Sequence, residues 1–171
     1  MKLKTVVLAS ALVLGSVSAH AITASLGTLT PLISSGSSLS FGGLINDNYT
    51  FTLSADSWLQ SNVIIAANSA AVTPATYGIY TAGLNNVVGD GDDVAVFPTS
   101  YNFSTTSTTH VDTLAAGDYY FKVFALASGP AAYSISASAM AMPVPEPETY
   151  ALMAAGLGVI GFVAARRRRD F

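Results

Sequence analysis

The sequence predicts an all-β fold, an antiparallel sandwich or jelly roll of about eight strands, on three observations. Apolar and polar residues alternate with period two through the middle of the chain, which is the mark of strands with one buried face. No stretch there carries a helical period. Clusters of Gly, Pro, Asp and Ser separate the alternating runs, as turns require.

In chain order, the first candidate strand is Ser38 to Leu44, followed by Tyr49 to Ser54, where Tyr49, Phe51 and Leu53 share one face and Thr50, Thr52 and Ser54 the other. Leu59 to Ala67, Thr76 to Thr81, Val94 to Phe97, His110 to Leu114 and Asp118 to Leu126 come next. The last run sets Tyr133, Ile135, Ala137 and Ala139 against Ser134, Ser136 and Ser138. Turn clusters fall at Gly42-Gly43, Ala82-Gly83, Gly89-Asp90-Gly91 and Ser128-Gly129-Pro130.

Charge is scarce and unevenly placed. Of 171 residues 10% are charged, against roughly 25% in an ordinary soluble domain. Between Ile22 and Val144 the only basic residue is Lys122, facing seven aspartates: Asp47, Asp56, Asp90, Asp92, Asp93, Asp112 and Asp118. Nucleic-acid binding is thereby excluded, because it needs clustered Lys and Arg to displace phosphate counterions. The absence of cysteine removes disulfides, thiol nucleophiles and zinc fingers. The body, residues 22–142, has room for one packed domain.

Both ends are set apart from this body. Lys2 and Lys4 precede an uncharged run from Thr5 to Val17 and then Ala19-His20-Ala21, the three parts of a secretory signal peptide over residues 1–21 with cleavage after Ala21. The run is too short to span a bilayer. At the other end stand Val144-Pro145-Glu146-Pro147, an uncharged Gly/Ala-rich segment from Tyr150 to Ala165, and Arg166, Arg167, Arg168 and Arg169. The prolines fix φ and withhold backbone donors, so that strip is expected to be extended. Residues 150–165 are read as a transmembrane helix, marginally short at about 24 Å and helped by snorkelling arginines that stay on the cytoplasmic side.

This tripartite ending over 143–171 resembles the PEP-CTERM sorting signal of Gram-negative bacteria. The resemblance implies cleavage near Pro-Glu-Pro by an exosortase, a membrane-embedded cysteine transpeptidase. It implies transient residence in the inner membrane and delivery to the cell surface or extracellular polymer matrix. Ile45-Asn46-Asp47-Asn48-Tyr49 is similar to the Phe-x-Asp-x-Phe motif that names one PEP-CTERM group, with Ile and Tyr at its aromatic positions. Leu114 to Val123, followed by Tyr133-Ser134-Ile135, resembles the last strands of bacterial pre-peptidase C-terminal sandwiches, which act as accessory modules or bind surfaces.

Residues that carry chemistry are few. His110, with Asp112 two residues on, stands among Ser and Thr, but no serine lies in a nucleophile elbow, so no catalytic residue is assigned and the protein is expected not to be an enzyme. Asp90, Asp92 and Asp93, interrupted by Gly91, offer the oxygen ligands of a weak calcium site or else a solvated turn; no other cofactor is implied. Trp58 and Tyr77, Tyr80, Tyr101, Tyr119 and Tyr120 have two open uses, stacking on sugar rings or filling the core. The function expected is an exported structural or adhesive protein of an exopolysaccharide or biofilm matrix. The alternative is a carbohydrate-binding module, with polysaccharide as partner and calcium assisting.

Overall fold

The computed structural model describes residues 21–97, 100–143 and 147–167, in two compact units that divide between Ala141 and Met142. The signal peptide expected over residues 1–21, including Ala19, lies outside the described residues except for Ala21. In the first unit the strands are β1 (Thr23–Thr28), β2 (Ser34–Ser40), β3 (Gly43–Leu53), β4 (Ser57–Ile65), β5 (Val72–Thr81), β6 (Val94–Ala95), β7 (Tyr101–Asn102), β8 (His110–Leu114), β9 (Gly117–Ala127) and β10 (Ala131–Ala141). One helix, α1 (Pro147–Arg167), is described in the second.

The strands form two sheets. One runs β1-β3-β9-β5-β6 with β7 also on β5, and the other β2-β10-β4-β8. Pairing is antiparallel except for β1, which lies parallel to β3 at a sheet edge. The all-β, antiparallel expectation therefore holds in outline. Two details differ. The run Ser38 to Leu44 is the end of one strand and the start of the next, because Ser40 bonds to both backbone groups of Gly42, and Gly42 and Gly43 take positive φ. Strands β1 and β7 are not among those expected, since the alternation of β1 (Ile22, Ala24, Leu26) is short and abuts the apolar N-terminal run, and β7 has only two residues.

Alternation builds the core. Ile45, Phe51 and Leu53 of β3, Tyr77 and Ile79 of β5, and Phe121, Val123 and Ala125 of β9 are buried from one sheet. Leu59 and Val63 of β4 and Ile135, Ala137 and Ala139 of β10 are buried from the other. Each large apolar side chain so buried contributes about 1.5–3 kcal/mol. Phe51 stacks on Phe121 with centroids 4.6 Å apart. Gly36 sits where a Cβ would lie 2.6 Å from the Tyr49 ring, so β2 approaches the facing sheet at a position only glycine fits.

Polar groups also enter this interior, and several pair across it. Tyr77 bonds to Ser61 at 3.1 Å, and Tyr49 to Tyr133 at 3.1 Å, both across the sandwich. Asp47, fully buried, accepts the Tyr133 hydroxyl at 2.6 Å and the Ile22 backbone N–H at 2.8 Å. Ile45, Asp47 and Tyr49 thus point inward together, which is the physical content of their two-residue spacing.

Candidate functional site

Strand β4 turns Leu59, Ser61 and Val63 inward, so Trp58 and Gln60 face outward. Register places Met140 of β10 and Thr113 of β8 on either side of Trp58, and Ser138 and Val111 on either side of Gln60. With Pro31 at one rim, Trp58, Gln60, Val111, Ser138 and Met140 line a groove of about 500 Å³. A smaller extension of about 90 Å³ shares Gln60 and Ser138 and adds Asn62, Thr109 and Ser136. Strands β2, β4 and β10 carry no charged side chain, so the floor offers hydroxyls, amides and one indole face. Trp58 is 41% exposed, enough to present its ring. Such a surface suits a neutral, hydroxyl-rich ligand that stacks on an aromatic face and hydrogen-bonds at its edges.

The tyrosines do not join this platform. Tyr77, Tyr80, Tyr101, Tyr119 and Tyr120 all belong to the other sheet, on β5, β7 and β9. Tyr77 and Tyr120 are buried. Tyr77 packs in the core and Tyr120 supports a loop, and Tyr119 and Tyr120 line a separate groove of about 480 Å³ on that sheet.

Tyr120 is covered by the loop between β5 and β6, and Asp93 holds that loop down. Its Oδ2 accepts the Tyr120 hydroxyl at 2.6 Å and the Gly89 N–H at 2.7 Å, while Oδ1 accepts the Gly83 N–H at 3.2 Å. Burial first, then the Asp93 carboxylate, holds the Tyr120 hydroxyl well above its usual range. Asp90, Asp92 and Asp93 do come together, with one oxygen of each within 4.8 Å of the others. Hydrogen bonding between Asp90 and Asp92 pulls the first carboxyl down and pushes the second up. Asp90 Oδ2 also accepts the Asn85 amide at 2.7 Å. Calcium prefers six to eight oxygens, and both oxygens of Asp93 and both of Asp90 already accept hydrogen bonds from the protein. The cluster fits a loop brace better than a metal centre.

His110 stacks on Tyr101 at 4.0 Å, and Tyr101 donates its hydroxyl to Asp112 Oδ1 at 2.5 Å. Ser61, opposite His110 in register, is buried and bonded to Tyr77, whose hydroxyl burial pushes up to about 12. These contacts pack an edge strand rather than assemble a nucleophile and base.

Helix α1 begins at Pro147 and is apolar on every side, with Leu152, Leu157, Ile160 and Phe162 all exposed. Arg166 is exposed as well; Val144, Pro145, Glu146, Arg168 and Arg169, and the side chains of Pro147 and Arg167, lie outside the described residues. No helix among the described residues is long and apolar enough to cross a membrane, which corrects the reading of 150–165 as a transmembrane helix.

Residues 143–169 match the PEP-CTERM protein-sorting motif. The match runs from Pro143 through the last arginine and so takes in the proline-glutamate strip, α1 and the basic cluster. A PEP-CTERM ending implies an exported protein, made as a membrane-anchored precursor and processed by an exosortase. No curated protein matches the chain. Among solved structures, the chain is similar to the pre-peptidase C-terminal domain of collagenase from Bacillus anthracis, with 15% identity over 71% of this chain and 97% of that one, at a TM-score of 0.44. It is also similar to PliG, a periplasmic inhibitor of g-type lysozyme. The Aeromonas hydrophila protein shows 12% identity over 71% of this chain and 100% of that one, at a TM-score of 0.37. The Salmonella Typhimurium protein shows 18% identity over 68% and 97%, at 0.34.

Proposed function

We propose that this PEP-CTERM protein is a non-enzymatic structural or adhesive component of the cell surface or extracellular matrix of a Gram-negative bacterium, associated with exopolysaccharide. In the precursor, the sorting ending keeps the exported chain at the membrane until exosortase releases it. The sorting motif at 143–169 carries this reading. An acidic body with a single lysine between Ile22 and Val144 supports it, since such a surface repels nucleic acid and suits the outside of the cell. Immunoblots of membrane, surface and medium fractions, with and without the exosortase, test it: processing shortens the chain and moves it outward only when the enzyme is present. Unchanged size and location would refute it.

A second reading is favoured by the groove at Trp58: the sandwich is itself a carbohydrate-binding module. Trp58 supplies the stacking face, and Gln60, Ser138, Asn62 and Ser136 supply hydrogen bonds. Calcium at Asp90 and Asp92 would steady the loop on the opposite sheet without touching the sugar. Affinity electrophoresis in gels containing the host polysaccharide, repeated with chelator, separates this from a passive matrix component.

A further inference from the structure

Asp47 lies on the inward side of β3, fully buried, where a carboxylate needs hydrogen bonds and is met best by an opposite charge. One oxygen takes the Tyr133 hydroxyl at 2.6 Å; the other takes the backbone nitrogen of Ile22 at 2.8 Å. The Ile22 carbonyl accepts the Asn48 N–H at 2.8 Å, so Ile22 is pinned to β3 on both sides of its own backbone. Its side chain packs against the core. Ile22 is also the residue that follows Ala19-His20-Ala21, where the leader is expected to be cut.

We propose that Asp47 is a receptor site for the N-terminus that leader removal creates, and that the Ile22 α-ammonium forms a buried ion pair with it in the mature protein. The inference rests on the export reading of residues 1–21. Hydrolysis adds water across the Ala21–Ile22 amide: hydroxyl goes to the Ala21 carbonyl carbon, leaving a carboxyl group, and hydrogen goes to the Ile22 nitrogen, leaving an amine. A terminal amine titrates near 8 and so takes up a further proton from water at neutral pH. A weak neutral donor beside Asp47 Oδ1 becomes a cation at the same place.

Several features make this charge matter. It would be the second cation of a body whose sequence otherwise holds Lys122 alone against seven acids. Lys122 stands opposite Asn48 in register, and its ammonium lies 5.7 Å over the Tyr80 ring rather than toward Asp47, which faces Val123. The strand held by the pair, β1, is an edge strand in parallel pairing, held by β3 along one side only. Leader removal thereby strengthens the hold on β1 after export, and the precursor is the less stable form.

A double-mutant cycle on the full chain tests this. One form begins at Ile22, released from a fusion by a protease that leaves no extra residue; the other keeps Ala19-His20-Ala21. Each is made with Asp47 and with Asp47→Asn. The form beginning at Ile22 is expected to melt roughly 5–10 °C above the extended one, and Asp47→Asn to erase most of that gap. A gap that is absent, or equal in both backgrounds, overturns the ion pair.

Should Asp47→Asn fail to fold, NMR titration of ¹⁵N-labelled Ile22 decides instead. Among the described residues, the titratable groups that face its amine include Asp47 and, through it, Tyr133 and Tyr49. Pairing raises the amine clearly above its ordinary value near 8, and an ordinary value overturns the proposal. The intact mass of the exported protein reports separately on cleavage. A start other than Ile22 refutes the cleavage reading and the proposal with it; a start at Ile22 without coupling leaves the cleavage reading standing and removes the ion pair.

Discussion

The Tyr133 hydroxyl donates to Asp47 Oδ2 at 2.6 Å through the interior of the sandwich, tying β10 of one sheet to β3 of the other. Tyr49 joins from a third side, its oxygen 3.1 Å from that of Tyr133. Burial and the neighbouring carboxylate both hold the Tyr133 hydroxyl far above its usual range, so it stays a donor throughout the working pH range. Replacing it with Phe keeps the ring and strips Asp47 of a short bond. We expect Tyr133→Phe to lower unfolding stability by about 2–4 kcal/mol in urea titrations, the cost of a buried carboxylate left short of a donor. A loss within measurement error would mean that the bond adds nothing to the core.

Alkaline pH tests the same tyrosines together. Tyr77 is pushed up to about 12 by burial, and Tyr101, Tyr120 and Tyr133 are raised also. In the unfolded chain these hydroxyls ionise near 10. A folded value above the unfolded one contributes stability that is whole below about pH 10 and is lost as pH rises from there toward the folded value. The urea midpoint should therefore be flat from about pH 8 to 9.5 and fall steadily beyond 10, with a shallower fall in Tyr77→Phe. A midpoint indifferent to pH up to about 12 would contradict the placement of these hydroxyls.

Asp93 is expected to matter more than its two neighbours. It accepts three hydrogen bonds, including that of the Tyr120 hydroxyl, and secures the loop over the outer face of its sheet. Asp93→Ala should lower stability by about 1–3 kcal/mol, and by the same amount with or without millimolar calcium, whereas Asp90→Ala should stay within about 0.5 kcal/mol of the parent in calcium-free buffer. Equal effects of the two substitutions in calcium-free thermal melts would show that Asp93 is not the brace.

How far the chain could be read in advance follows from which signals are local. Tyr49, Phe51 and Leu53, or Tyr133, Ile135 and Ala137, announce their inward face within a few residues, and the structure buries all six. The sorting ending is a linear motif and was equally legible. Asp47 was not: it stands between two asparagines in a run that looks polar, and its partner Tyr133 lies 86 residues away. The covering of Tyr120 by a loop leaves no periodic trace, so its bond to Asp93 could not be read from the spacing. Trp58 did show its exposure, through the alternation of Trp58 and Gln60 with Leu59 and Ser61, but the groove around it depends on the register of β8 and β10.

Trp58 separates the two functional readings. Its ring is partly exposed and forms one wall of the groove, so Trp58→Ala should change stability by at most about 1 kcal/mol. If the groove binds glycan, the same substitution abolishes retardation in polysaccharide gels, because a stacking aromatic is commonly a dominant contact. Retardation that survives Trp58→Ala would move any sugar contact elsewhere on the module.

The account depends above all on a chain that is exported and trimmed at both ends. Intact mass of the protein recovered from the cell surface or medium measures this in one spectrum. The expected product begins at Ile22 and stops near Pro145-Glu146-Pro147, ahead of most of α1, with any group added by exosortase visible as extra mass. A product that still carries all 171 residues would contradict it.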